Sequence, residues 1–327
     1  MKKNILYTIF PILTAVLISF GGCKKEEYAL PVAPDVLQNT AIKRTLGPNI
    51  VTQTIDFAYA AAILPSKGKL TSIQVEATIA GATGTFLENR SFNTNGSGVD
   101  VGVTVGSPSV NEGTKTTVTF TVDTSAATLR YSYVVPEEAR GKTVSFTFSA
   151  KSSNGENVST TMGPYTVAKM DMVRLLAVKT DSAYISIADM KVYDPKTAAT
   201  NASKIDLVYL YRNITTSAFS HALVSPAADT AYLPNVKLPA GLTNSTKMQK
   251  VFNLQDFNLA RLQYGIYIDD LDFQQLDLTN APNFAINLKA EAGVWVQTAD
   301  NKYKAYIFIN SVTAAGTAVI SIKRYAL

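Results

Sequence analysis

Between about Thr45 and Lys169 the chain alternates apolar and polar residues with period two. Val118, Phe120 and Val122 interleave with Thr117, Thr119 and Thr121. Val144, Phe146, Phe148 and Ala150 interleave with Thr143, Ser145, Thr147 and Ser149. Each run has one apolar and one hydroxylated face, as a strand half-buried in an antiparallel sheet requires. Tyr131 and Tyr133 share parity with Leu129 and Val135 and are expected to pack inward. Asn154-Gly155 is a strong hairpin turn, because both residues tolerate positive φ. Asn95-Gly96-Ser97-Gly98 and Asn111-Glu112-Gly113 supply further turns. Short strands with turns at this spacing predict a β-sandwich.

The sandwich is expected over residues 45–170 and to be immunoglobulin-like. It holds no cysteine pair and no tryptophan, which excludes the antibody-type core. From Asp171 to Leu327 the pattern changes. Asp194-Pro195 opens a short Ala-rich helix through Ser203, with Asp as N-cap and Pro at the first helical position. Lys204 to Tyr211 reads as a buried strand, since Ile205, Leu207, Val208 and Leu210 leave little polar face. Leu254, Phe257 and Arg261 sit at helical spacing, although a loop over Leu254–Gln263 fits nearly as well. Three strands close the chain, at about Phe284–Thr298, Lys302–Val312 and Thr317–Tyr325. The expectation for residues 171–327 is a mixed α+β domain ending in a β-meander, within a chain that is mainly β.

The chain has 327 residues, enough for two domains that each bury a core. Its single cysteine excludes an intrachain disulfide framework, and its single histidine excludes a multi-histidine metal centre. Thirty basic residues face 25 acidic ones, and no Lys/Arg run interleaved with aromatics forms a nucleic-acid footprint. Residues 1–22 read as an export signal: Lys2 and Lys3, then a largely apolar stretch of 16 residues from Ile5 to Phe20. That stretch is short for a spanning helix, which needs roughly 20 apolar residues. Phe20-Gly21-Gly22-Cys23 resembles the lipobox of bacterial lipoproteins, which implies acylation of Cys23; Phe20 departs from the usual aliphatic residue. The following Lys24-Lys25-Glu26-Glu27 resembles the surface-export signal of Bacteroidetes lipoproteins. Residues 23–44 are then expected to be a tether. The resemblance implies a lipid-anchored protein of the outer membrane that faces outward.

Pro136 to Lys142, leading into a long alternating strand, is similar to bacterial immunoglobulin-like modules. The mature chain resembles a two-domain Bacteroidetes surface lipoprotein family of unknown function. The runs Tyr184–Asp189, Lys204–Tyr211 and Tyr264–Phe273 carry that likeness. It brings no catalytic residue with it.

Candidate chemistry is sparse. His221 is the sole imidazole, read as a hydrogen-bonded structural residue, and neither a nucleophile elbow nor a dinucleotide fingerprint occurs. Asp269, Asp270 and Asp272 form the densest carboxylate group; calcium is the cation such oxygens would take, although the EF-hand spacing is missing and loop solvation is the plainer account. Asp181-Ser182-Ala183 and Asp229-Thr230-Ala231 resemble the short O-glycosylation motif of Bacteroidetes, with Ser182 and Thr230 as acceptors. Trp295 falls on the polar side of its strand with Glu291 and Gln297. A turn at Asp300-Asn301 sets Trp295 opposite Tyr306 and Gln297 opposite Lys304, so the two rings would touch. Trp295, Tyr306, Glu291, Gln297 and Lys304 are therefore the expected ligand platform, provided nothing covers that face.

These features lead to a non-enzymatic surface lipoprotein that binds a glycan or similar exogenous ligand, with no cofactor unless calcium. A structural or adhesion module that binds a partner protein is the first alternative. A hydrolase using the Asp269–Asp272 cluster is the second.

Overall fold

The computed structural model describes residues 34–179, 183–212, 219–260 and 265–327. The period-two runs become strands. In the first half these are β1 (Gln38–Lys43), β2 (Thr54–Ala62), β3 (Leu70–Ala77), β4 (Phe86–Leu87), β5 (Arg90–Thr94) and β6 (Asp100–Thr104). Then come β7 (Val110–Glu112), β8 (Lys115–Thr119), β9 (Ala126–Val134), β10 (Thr143–Ser152) and β11 (Asn157–Thr166). One sheet runs β1-β2-β9-β4, a second β11-β10-β3-β8-β7, and β5 and β6 form a separate ribbon. The inward faces interlock through aromatic rings. Phe57 and Tyr133 meet Phe146 with ring centroids 4.8 and 4.9 Å away, in tilted and edge-on geometry. Asn154-Gly155 turns the chain between β10 and β11, with Gly155 at φ 88°. Because β1 lies inside the segment expected to be a tether, the sandwich begins near Leu37, whose side chain joins its core.

The second half contains β12 (Asp171–Val178), β13 (Tyr184–Ser186), β14 (Lys191–Tyr193), β15 (Leu207–Arg212) and β16 (Ser220–Val224). It continues with β17 (Lys247–Val251), β18 (Phe284–Leu288), β19 (Gly293–Gln297), β20 (Tyr303–Val312) and β21 (Ala318–Ala326). Its helices are short: α1 (Pro195–Thr200), α2 (Phe257–Ala260) and α3 (Asp270–Gln275). Asp194 caps α1 as expected, accepting from the Lys196 and Thr197 amides. The sheets are β12-β21-β20-β19-β17, which contains the C-terminal meander, and β14-β13-β15-β16-β18. Ile185, Leu207 and Leu223 of one sheet pack with Val294, Ile307 and Ile322 of the other.

The run read as one strand from Phe284 to Thr298 is two. Asn287 and Glu291 adopt φ of 54° and 68°, which breaks the pleat. As a result β18 joins β16, while β19 lies between β17 and β20 in the other sheet.

The outer face of the meander is covered by residues 254–260 and 265–276. Lys323 anchors this cover from below. Its side chain is fully buried and its ammonium donates to Asp256 Oδ2 (2.6 Å), Asn258 Oδ1 (3.0 Å) and Ile268 O (2.7 Å). Three donors meet three acceptors, which offsets the desolvation of a buried ion pair. Ile50, Ala168 and Met170 from the first half pack into the same cluster as Leu259, Ile268 and Phe273.

Candidate functional site

The structure forms the predicted aromatic pair but not an open platform. Trp295 lies opposite Tyr306 and Gln297 opposite Lys304, with the two rings 4.7 Å apart. The turn is longer than expected: Asn301 N–H closes it on Thr298 O, and of its residues only Asn301 has positive φ, yet the register is unchanged. The pair is core. Tyr306 is 0% exposed and its hydroxyl donates to Leu254 O. Phe273 of α3 stands edge-on to Trp295 at 5.5 Å. The Tyr306 ring lies so close over Gly293 that any Cβ there would collide with it.

The polar residues of that face serve the cover in the same way. Lys304 Nζ donates to Phe273 O (2.9 Å) and Leu276 O (2.6 Å), at the end of α3. Glu291 accepts from Gln255 Nε2 at 3.1 Å, and Gln297 donates to Asn301 Oδ1 at 2.7 Å. The platform reading of Trp295, Tyr306, Glu291, Gln297 and Lys304 is therefore corrected: these side chains meet Leu254, Gln255 and the α3 helix, or the neighbouring turn at Asn301.

The carboxylate cluster is likewise engaged with backbone. Asp269 caps α3 by accepting from Leu271 N–H (2.8 Å), and Asp272 returns the bond to Asp269 N–H (2.8 Å), which makes a capping box. Asp270 accepts from Lys169 and Met170 amides at 2.7 and 3.1 Å, and so fastens the first half to the second. Asp269 and Asp270 border a surface cavity of about 390 Å³ beside Pro48 and Thr166, with these bonds already made. The calcium assignment of Asp269, Asp270 and Asp272 is corrected accordingly. Among the described residues, no group of three or more His, Cys, Asp or Glu is placed to hold a metal ion.

His221 is buried on β16, with Nδ1 2.6 Å from Tyr209 Oη, and burial lowers its pKa. Thr230 is exposed in a turn where Asp229 Oδ1 accepts from Ala231 N–H at 2.8 Å. Cys23 and Ser182 lie outside the described residues.

A different site emerges at one end of the second-half sandwich. Three loops meet there: the approach to β15, the segment before β17, and the β19–β20 hairpin. They enclose a cavity of about 530 Å³ whose lining includes Lys204, Asp206, Asn244, Asp300, Lys302 and Tyr303. Asp206 is 5% exposed, and its Oδ2 accepts from the Ile187 amide at 2.8 Å. The Thr246 hydroxyl, fully buried, lies beside the carboxylate without a well-formed bond to it. Burial pushes the Asp206 carboxyl up to about 7, and the negative charges of Asp300 and Asp189 add to the rise. Both nearby lysines are spoken for: Lys204 pairs with Asp189 at 3.3 Å and Lys302 with Asp300 at 3.1 Å. Among the described residues no cation pairs with Asp206. Sequence reasoning passed over this residue as a member of a buried strand. The available signal was a lone carboxylate inside the apolar run Ile205–Leu210.

The Domain of unknown function (DUF4466) profile matches residues 34–167, and the Domain of unknown function (DUF8576) profile matches residues 168–327. The crystal structure of a DUF4466 family protein from Parabacteroides merdae, a Bacteroidetes member, is 46% identical with a TM-score of 0.85. The match covers 90% of this chain and 99% of that one. The chain belongs to the DUF4466 family. Within this family the two-domain, mainly β organisation read from the sequence holds, with the profiles meeting between Val167 and Ala168. Fainter likenesses reach a 35 kDa C-terminal fragment of the major pilin GBS80 of Streptococcus agalactiae (12% identity, TM-score 0.30, 56% of this chain and 74% of that one). They also reach self-complemented MyfA, the major subunit of Myf fimbriae from Yersinia enterocolitica, in complex with galactose (7%, TM-score 0.23, 40% and 98%). At those scores neither carries an argument. No curated protein matches the chain.

Proposed function

We propose that this DUF4466 protein is a lipid-anchored protein of the outer membrane, facing outward, that binds an exogenous glycan-type ligand without transforming it. The address rests on the lipobox-like Phe20–Cys23 and the charged block after it. The binding site is the cavity at Asp206, and the observation that carries it is a buried carboxylate lining that cavity without a counter-ion. Such polar groups, few and placed in a concave wall, orient small ligands. Carboxylate and amide oxygens there accept from sugar hydroxyls, and Tyr303 adds an aromatic surface.

A glycan array probed with the purified protein and with Asp206→Asn tests the site. Glycans retained by the parent and lost by the variant support it; identical retention by both removes it. Cys23→Ala tests the anchor: the variant accumulates as unprocessed precursor or leaves the membrane fraction, and unchanged fractionation and mass overturn the lipoprotein reading.

The rival reading, an adhesion module that binds a partner protein, draws on one observation. Val99, Val101 and Val103 at the β5–β6 ribbon are 56, 39 and 58% exposed, and among the described residues β6 pairs with no strand besides β5. An unprotected apolar edge of this kind can accept another strand.

A further inference from the structure

The charges around the Asp206 cavity can be balanced group by group. Lys204 is matched by Asp189 and Lys302 by Asp300, both as close ion pairs. Asp206 remains, with no cation paired to it among the described residues. Its electrostatic neighbours are carboxylates, since Asp300 and Asp189 both disfavour its ionised form. Asp206 is thus the one charged group of the lining with no ion-pair partner among the described residues.

Hydrogen bonding points the same way. Asn244 donates both amide hydrogens to backbone, to Ser203 O at 3.0 Å and Ile205 O at 2.8 Å. What it has left to offer is its carbonyl oxygen. Thr298 donates to Asp300 Oδ1 at 2.7 Å and accepts from the Tyr303 amide at 3.1 Å, so its hydroxyl hydrogen is also engaged. Asp206 Oδ2 takes the Ile187 amide, which leaves Oδ1. Asn244, Thr298 and Asp206 thus present acceptor oxygens, beside the paired Lys204 and Lys302 ammoniums at the rim. A neutral sugar could supply hydroxyl donors to these oxygens, but it would bring no charge to hold Asp206 ionised, and the carboxyl would keep its proton up to about pH 7. An ammonium supplies three donors and the missing charge together.

Resting on the proposal that the cavity is the ligand site, we infer that its ligand is an amino sugar, bound with its protonated amine against Asp206 and its hydroxyls toward Asn244 and the Asp300–Lys302 rim. The lysines at that rim are about half or more exposed, so they border the entrance. A cavity of about 530 Å³ holds one or two sugar rings.

The test is calorimetric titration of the full-length protein in detergent with glucosamine, glucose and N-acetylglucosamine, each also against Asp206→Asn. Calcium chloride is run as a separate arm. Glucosamine is expected to bind at least about tenfold tighter than either neutral sugar, and Asp206→Asn to bring it down to their level. Circular dichroism of the variant, expected unchanged, separates lost binding from lost folding. If the three sugars bind equally and all depend on Asp206, the cavity remains the site and the amino-sugar inference falls. If none binds, or binding survives Asp206→Asn, the site reading falls as well. Calcium binding that depends on Asp206, without any amine effect, assigns the carboxylate to a metal ion and overturns both.

Discussion

Asp206→Asn removes a carboxylate that the fold penalises, and the size of the effect follows from its titration. Asp206 ionises near 3.8 in an unfolded chain and near 7 when folded, because burial outweighs the Ile187 amide bond. Between those values the folded state keeps a proton that the unfolded state has released. Stability therefore falls as pH rises from about 4 to about 7, and the full penalty is present above 7. Roughly three pKa units at 1.36 kcal/mol each amount to about 4 kcal/mol. An asparagine cannot ionise; its carbonyl can keep the Ile187 bond, and its amide can donate to the otherwise unpartnered Thr246 hydroxyl. The variant should match the parent near pH 4 and exceed it by about 3–4 kcal/mol at pH 8. Trp295, the chain's single tryptophan, lies in the second half and reports its unfolding by fluorescence. Urea titrations of both proteins between pH 4.5 and 8.5 give the difference directly, and titrations common to both cancel. A difference that stays flat with pH, or a variant less stable at pH 8, would refute the reasoning.

Lys323→Ala should destabilise the protein by about 3–5 kcal/mol, since Asp256 is left buried without its cation, and paired replacement by Met and Leu should be much milder. Chemical denaturation of the single and double variants checks this, and equal losses would mean that the pair contributes more than its own neutrality. Trp295→Ala, which empties the contact with Phe273 and Tyr306, should lose about 3 kcal/mol or more in thermal unfolding while leaving ligand retention on the array intact. Loss of ligand without loss of stability would restore the platform reading. Thr230→Val should lower the intact mass of protein from its native host by one glycan if the exposed Asp229-Thr230-Ala231 turn is modified, and by the bare side-chain difference if it is not.

Alternation located the strands of the first half because each has one face on a shared core. Phe146 and Phe148 point inward as their parity requires, and so do Tyr131 and Tyr133. The helix at Pro195 was legible for a local reason, the capping carboxylate of Asp194. The Phe284–Thr298 run failed where locality ends. Its parity continues across Lys289–Ala292, but the left-handed residues Asn287 and Glu291 redirect the chain into a second sheet. The Leu254–Gln263 segment, read as helix or loop, contains within the described residues the single turn Phe257–Ala260. It is held by Asp256 at its start, through a partner 67 residues away, rather than by an apolar stripe.

The candidate site was harder to read for a related reason. The polar side of β19 and β20 was assigned correctly by parity, and its polarity was taken for exposure. Lys304, Tyr306 and Lys323 instead point their polar ends into backbone carbonyls or a carboxylate of the covering segment, while their stems and rings pack beneath it. A polar residue facing outward from a sheet is equally suited to meeting water and to meeting a peptide group. Two buried aspartates show what the sequence alone does not separate. Asp206 lies between Ile205 and Leu207 and Asp256 between Gln255 and Phe257, and both are buried. Asp256 receives Lys323 and two amides and is complete. Asp206 receives one amide, the Thr246 hydroxyl beside it, and the field of two further carboxylates. The distinction lies wholly in tertiary neighbours. A buried ion pair closed within the chain needs nothing more, whereas a carboxyl held at a folding cost beside a cavity is neutralised by its own proton below about pH 7 and, in the proposed complex, by the ligand's amine above it.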